Sequence, residues 1–202
     1  CSATLRGVQG RPVRAEVHVS SGLPGFTVVG QPDPTCREAR DRVRAALLSS
    51  GLSWPNARVT VNLAPPGMRK VGAGLDLAIA AGLLAASEQV PLDSLAGRGF
   101  VGELGLDGSV RSVPGALPLV DALAEREAVV PDGCTVEAQL VGRHLIRPVG
   151  TVTAVVTGKD KRTAGATHAG MLYLLTDIDA PRKRIVRVAP ERPVRLFHGY
   201  LN

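Results

Sequence analysis

The sequence predicts an α+β (mixed α/β) fold, and three observations carry that expectation. Short alternating runs near the start read as strands, later segments alternate strand and helix, and GLDLAIAAGLLAAS (74–87) is apolar nearly all round, as a helix packed on a sheet is. Hairpins ahead of strand–helix alternation point away from a doubly wound sheet. The chain has 202 residues, 45% hydrophobic and 21% charged, which is enough to bury a substantial core. Aromatic residues make up only 3%, so Ala, Val, Leu and Ile must build that core.

The elements follow in order. ATLRGVQG and PVRAEVHVS are short runs on either side of Gln9-Gly10, which predicts a strand hairpin there, and GFTVVG gives a third strand bounded by glycines. DPTCREARDRVRAALLSSG (33–51) places Cys36, Ala39, Val43, Ala46 and Leu47 at helical spacing, with Gly51 as its stop. Glu38 with Arg42 and Arg37 with Asp41 stand at i,i+4 spacing, which predicts an amphipathic surface helix braced by two ion pairs. RVTVNLAP alternates with period two and ends at Pro65-Pro66; the apolar helix after it should be the most buried element. FVGELGLDGSVRSV predicts two strands joined at Asp107-Gly108. GALPLVDALAERE reads as a helix, AVVP as a strand, CTVEAQLV as a short helix and HLIRPV as a last strand before TVTAVVTG.

Charge divides the chain. Residues 1–158 hold 15 basic and 14 acidic groups, while residues 159–202 hold 9 basic and 4 acidic. Lys70 is the only lysine of the first part, whereas Lys159, Lys161 and Lys183 lie in the second, which predicts a domain over 1–158 and a basic tail over 159–202. Two readings of the tail stay open. MLYLLTDI, RIVRVAP and RPVRLFHGY have strand character, and Arg182, Lys183, Arg184 and Arg187, with Arg192 and Arg195, could meet nucleic acid; equally, the segment reads as a frame-shifted or truncated end that does not fold. Beginning at Cys1 without Met, the sequence reads as a fragment. No apolar run reaches 18 residues and no signal peptide is visible, so a soluble, cytoplasmic protein without membrane contact is expected.

The motifs carry little chemistry. Cys1, Cys36 and Cys134 are widely spaced and form no C-x-x-C pair, and His18, His144, His168 and His198 stand alone, so no metal is assigned. Glu103 and Asp107 share a hairpin in structural roles. RKVGAGLDL, beginning at Arg69, puts a basic pair and broken glycines before a helix. Lys70, Gly72 and Gly74 could attract an anion through the helix N-terminus, or the glycines could serve close packing while Asp76 caps the helix. No G-x-x-x-x-G-K-[ST] loop exists: GTVTAVVTGKD has the wrong spacing and an aspartate where the hydroxyl belongs. Arg37, Arg40 and Arg44 share one helix face, fit either to contact phosphates or to remain solvated.

SGLPGFTVVG, REARDRVRAAL, VNLAP and GELGLDG, in that order, closely resemble the N-terminal domain of the YifB/ComM family, the magnesium-chelatase-like AAA+ proteins, from about residue 2 to 157. The resemblance implies the fold of the Lon proteolytic domain, shared with the second domain of a ribosomal small-subunit protein and with GHMP-type kinases. It also implies an ATPase motor beyond this domain, ATP and magnesium for the full-length protein, a homo-oligomer such as a hexamer, and a role in DNA branch migration during natural transformation. Aligned on Lys70 and Gly72, the Lon nucleophile position falls on Gly74, and its lysine partner falls on Leu117. A Ser-Lys mechanism needs a hydroxyl and an amine, and neither is present. The expectation is a noncatalytic domain, with no cofactor in this chain, that supports assembly or DNA engagement. The alternatives are a Lon-like peptidase using other residues and a free-standing nucleic-acid-binding module.

Overall fold

A computed structural model describes residues 1–157 and, beyond them, the strand backbones at 172–176, 184–188 and 195–196. It falls into two compact units, Cys1–Asp160 and Lys161–Asn202. The second contains an antiparallel meander of β10 (Leu172–Thr176), β11 (Arg184–Val188) and β12 (Arg195–Leu196), one strand within each run of strand character. Arg182 and Lys183 lie outside the described residues; Arg184 and Arg187 stand on β11.

In the first unit, β1 (Ser2–Arg6), β2 (Gln9–Ser20), β3 (Gly25–Val29) and β4 (Arg58–Ala64) form a sheet of order β1-β2-β4-β3. β1 and β2 are antiparallel, with Arg6 opposite Gln9, so the turn is Gly7-Val8 and not Gln9-Gly10 as the sequence suggested. Gly7 takes the positive φ, 61°. Gly10 lies within β2 for a different reason: a Cβ there would stand 1.8 Å from the Pro118 carbonyl oxygen. Along β4 the period-two pattern buries Val59, Val61 and Leu63, and the register sets Val19 and Val17 of β2 beside the first two.

β3 runs parallel to β4, so the connection must cross over, and it does so through helices. The sequence predicts one helix here; the structure has two, α1 (Pro34–Arg37) and α2 (Ala39–Ser49), meeting at Glu38. The apolar stripe survives the break, with Cys36, Ala39, Val43, Ala46 and Leu47 all buried. Of the two expected ion pairs, Glu38–Arg42 forms at 3.5 Å, while Arg37 and Asp41 fall on either side of the break and form none. α3 (Asp76–Ala86) lies on the sheet and buries Leu77 to Ala81 together with Leu83 and Leu84. Gly82 meets β2 so closely that a Cβ would come within 2.8 Å of Val17 Cγ2.

The remaining chain builds a parallel sheet of order β5-β8-β9, from Arg98–Phe100, Glu127–Pro131 and Leu145–Val149. The run FVGELGLDGSVRSV is divided: Phe100 ends β5, whereas β6 (Glu103–Leu104) and β7 (Val110–Arg111) form a small hairpin around Gly105–Ser109. Helices α4 (Ala116–Asp121) and α5 (Thr135–Gln139) cover this sheet around Val101, Leu119, Val120, Ala128 and Val130, and TVTAVVT becomes α6 (Val152–Thr157). Glu127 bridges the outer strands, accepting from Arg98 at 3.1 Å and Arg147 at 3.3 Å. The architecture is mixed α/β, as the sequence predicts.

The Gly10 contact with α4 gives a test. Gly10→Ala forces Cβ into backbone, and the cost should fall in the upper part of the overpacking range, about 2–3 kcal/mol in urea unfolding. Gly74→Ala, whose Cβ meets only Val113 Cγ1 at 3.7 Å, should change stability by under about 1 kcal/mol.

Candidate functional site

The segment from Pro65 to Asp76, where the sequence concentrates its basic pair and glycines, lies between β4 and α3 and is anchored along its length. Lys70 N–H donates to Gln31 O at 3.1 Å and Lys70 O accepts from Asp33 N–H at 2.9 Å, making a parallel bridge to the approach to α1. Val71 N–H donates to Thr4 Oγ1 at 2.9 Å. Asp33 is the N-cap of α1: Oδ1 accepts from Cys36 N–H at 2.7 Å, while Oδ2 reaches across to accept from Gly72 N–H at 3.1 Å. The Cys36 thiol donates to Gly72 O at 3.1 Å.

These contacts decide what the glycine loop offers a ligand. Lys70 has no exposed surface; its Nζ donates to the Pro65 carbonyl, and burial pushes its ammonium below the ordinary lysine range. Gly72 gives its N–H to Asp33. Gly74 O accepts from Gly102 N–H at 3.0 Å. The lysine ammonium and the Gly72 donor expected for an anion therefore have partners within the fold. Gly74 sits at the end of this loop with room for a side chain, and Leu117 is a half-exposed residue of α4.

Asp76 differs from its expected role. The sequence suggests a cap for α3, but its side chain makes no capping bond. Fully buried, it accepts Arg42 Nε at 2.6 Å and Arg42 Nη2 at 3.0 Å in a bidentate pair, and it accepts Leu104 N–H at 3.3 Å. Burial pushes its carboxyl up to about 6, against the opposing pull of Arg42. Asp33 goes the other way: burial raises it, but N–H donors from Cys36 and Gly72 and the charge of Arg69 outweigh that and leave it below the ordinary value. The Cys36 thiol is pushed up to about 12 by burial and by Asp33, which leaves it unreactive as a nucleophile. The signal for the Arg42–Asp76 pair in the sequence was a lone carboxylate opening an apolar helix.

Arg37, Arg40 and Arg44 are exposed along α1 and α2. Arg37 and Arg40, with Glu38 and Asp41, line an open cleft of about 420 Å³ whose other wall is Phe26, Thr27 and Val28 of β3. Phe26 also stacks at a tilt on Trp54, with ring centres 5.6 Å apart. His144 Nδ1 lies 2.7 Å from Glu125 O, and His18 is on the exposed side of β2; His168 and His198 fall outside the described residues. Among the described residues no three metal-ligating side chains gather, and no helix is long and apolar enough to cross a membrane.

The family model described as subunit ChlI of Mg-chelatase matches residues 15–133, which span β2 to the short turn after β8. The chain belongs to that family. A YifB protein of Salmonella typhimurium is 43% identical over 158 residues, 76% of this chain and 31% of the relative. YifB of Escherichia coli K12 is 51% identical over 111 residues, 55% of this chain and 22% of the relative, and competence protein ComM of Haemophilus influenzae is 46% identical over 142 residues, 69% and 28% respectively. The chain spans less than a third of the length of these curated relatives. Membership in the magnesium-chelatase-like group that includes YifB and ComM follows from the match and these identities.

The two carboxylates give opposite pH signatures. For Asp76 the native state binds its proton more tightly than the unfolded chain, so its contribution to stability grows as pH falls from about 6 toward about 4. Asp33 contributes above about 4, and that contribution is lost as pH falls through its lowered native value. Carboxyl ¹³C titration should show Asp76 titrating far above Asp33. Arg42→Met removes the partner of a buried carboxylate; it should cost about 3 kcal/mol in urea unfolding and drive the Asp76 titration higher still.

Proposed function

We propose that this chain is the noncatalytic N-terminal domain of a YifB/ComM-like AAA+ protein, with a Lon-protease-like fold, serving assembly or DNA engagement for the motor. The observation that carries this reading is the chemistry of the loop before α3. The nucleophile position is Gly74, its partner position is Leu117, and the neighbouring Lys70 and Cys36 are buried in structural bonds. A Ser-Lys route requires a hydroxyl and an amine of depressed pKa in contact; Gly74 offers no hydroxyl, Leu117 offers no amine, and the depressed amine of Lys70 is held by the Pro65 carbonyl. The competence name of the Haemophilus relative supports a place in natural transformation, and DNA branch migration is the role that the family resemblance implies there.

ATP and magnesium belong, on this reading, to the motor of the full-length protein. Among the described residues none fits a nucleotide's phosphates: Gly72 N–H is held by Asp33, and Val152–Thr157 coils into α6 rather than opening as a phosphate loop. The partners are the motor domain and further copies in a ring, a hexamer by the resemblance, in the cytoplasm. DNA contact is electrostatic: the 9 basic and 4 acidic groups of residues 159–202, including Arg182, Lys183, Arg184 and Arg187, outweigh the nearly balanced body, where Arg37, Arg40 and Arg44 are the candidate face.

Two outcomes are expected. The chain should cleave no unfolded protein and take no label from serine-directed phosphonates, and Gly74→Ser should remain silent because Leu117 supplies no base; cleavage that survives repurification refutes this. Duplex DNA binding should weaken steeply with salt and be sequence-independent, and removing residues 160–202 should abolish most of it. A shortened chain that binds as well as the whole transfers the contact to Arg37, Arg40 and Arg44.

A further inference from the structure

The four outer edges of the two larger sheets in the first unit are not treated alike. β1 is engaged beyond its own sheet, since Cys1 O accepts from Phe100 N–H at 2.8 Å, and β5, only three residues long, is the donor. β9 carries Arg147 and Pro148, a charge and a missing donor that discourage further pairing. β3 has none of these guards. It is five residues of uncharged GFTVV with an unbroken register from Gly25 opposite Arg58 to Val29 opposite Asn62, no proline, no charge and no bulge, and among the described residues β4 is its one neighbour.

The parallel ladder fixes which groups face outward. Gly25 N–H donates to Ala57 O at 3.3 Å, so Gly25, Thr27 and Val29 turn their peptide groups to β4. Strand alternation then points the N–H and C=O of Phe26 and Val28 to the open edge. Phe26, Thr27 and Val28 form one wall of the cleft of about 420 Å³, and Arg37 and Arg40 stand on the other. Glu38 on that wall is engaged with Arg42 at 3.5 Å, leaving Asp41 against two arginines, with exposed Arg44 one turn further and exposed Arg58 at the start of β4.

We propose that the β3 edge binds an extended, acidic peptide segment of a partner protein, which adds a fifth strand to the sheet and directs its carboxylates to Arg37 and Arg40. Main-chain bonds to Phe26 and Val28 supply the pairing, and the arginines supply the preference. A second copy paired through its own β3 would bring like charges together. A nucleic-acid strand would satisfy the arginines but offers no row of donors for the outward carbonyls of Phe26 and Val28. The inference goes beyond the domain's proposed service to a motor and stands without it.

The test uses the full 202-residue chain, ¹⁵N-labelled. The probe is a capped peptide of alternating valine and glutamate, about eight residues long, matched to a valine–lysine peptide and an oligothymidine. The glutamate peptide should shift the Phe26 and Val28 amides and slow their hydrogen exchange about tenfold or more at saturation, and the lysine peptide should not. Val28→Pro removes one outward donor without touching the β4 ladder and should weaken binding about tenfold. Arg37→Glu with Arg40→Glu, both on the surface, should reverse the preference toward the lysine peptide, and it decides the matter if Val28→Pro does not fold. Unchanged Phe26 and Val28 amides, or retained preference for glutamate in the double variant, would overturn the proposal. So would an oligothymidine that displaces the peptide and binds the Val28→Pro chain undiminished.

Discussion

The structure depends most on one buried carboxylate. Asp76 opens α3, the helix whose faces are buried almost throughout, and it has no contact with solvent. A charge there is tolerable only with full satisfaction, because an isolated buried carboxylate would cost several kcal/mol. Arg42 supplies a bidentate partner from α2 and Leu104 supplies an N–H from β6. One side chain thus fastens together the crossover helix, the central helix and the hairpin of the second half. Arg42 Nη2 also donates to Thr35 O at 2.8 Å, which extends the junction to α1.

The loop before α3 follows from the same demand for satisfaction. A chain leaving β4 and entering a buried helix cannot leave its backbone donors unpaired. Asp33 resolves part of this by capping α1 and holding Gly72 with its second oxygen, so the N-terminus of one helix and the entry to another share a single carboxylate. Thr4, Cys36 and the Pro65 carbonyl account for Val71, Gly72 and Lys70. A loop whose polar groups are committed inward has few left for chemistry. Lys70, Gly72 and Gly74, in a run that resembles a catalytic or phosphate-binding turn, have their polar groups tied to partners within the fold.

How much of this was legible depended on whether the cause was local. The stripe from Cys36 to Leu47, the alternation of β4 and the apolar helix at 76–86 were readable because burial of one face imposes a period on the sequence. The turn falls at Gly7-Val8 rather than at Gln9-Gly10 because Gly10 is glycine for the sake of Pro118, more than a hundred residues away, a cause no local pattern carries. Glu38 at i,i+4 from Arg42 was visible, but the break at Glu38 that separates Arg37 from Asp41 was not: Pro34 and the Asp33 cap set the start of α1, and nothing in the spacing marks its end. The bond from Arg42 to Asp76 crosses 34 residues and could not be read from either helix alone. Of the candidate site residues, the exposed arginines were found by period, whereas the commitment of Lys70 and Gly72 to internal partners is a tertiary fact.

The two sheets are completed by different means, and this bears on what the domain does. The parallel sheet guards its outer strand with Arg147 and Pro148 and uses Glu127 to hold Arg98 and Arg147 across its end. The first sheet places its least protected strand beside its most cationic helical face. Natural sheets leave a flat, uncharged edge open at the risk of aggregation, so retaining one beside a row of arginines is consistent with a surface kept for pairing. Where the loop before α3 has turned its polar groups inward, the open backbone of β3 remains the part of this unit best suited to an outside partner.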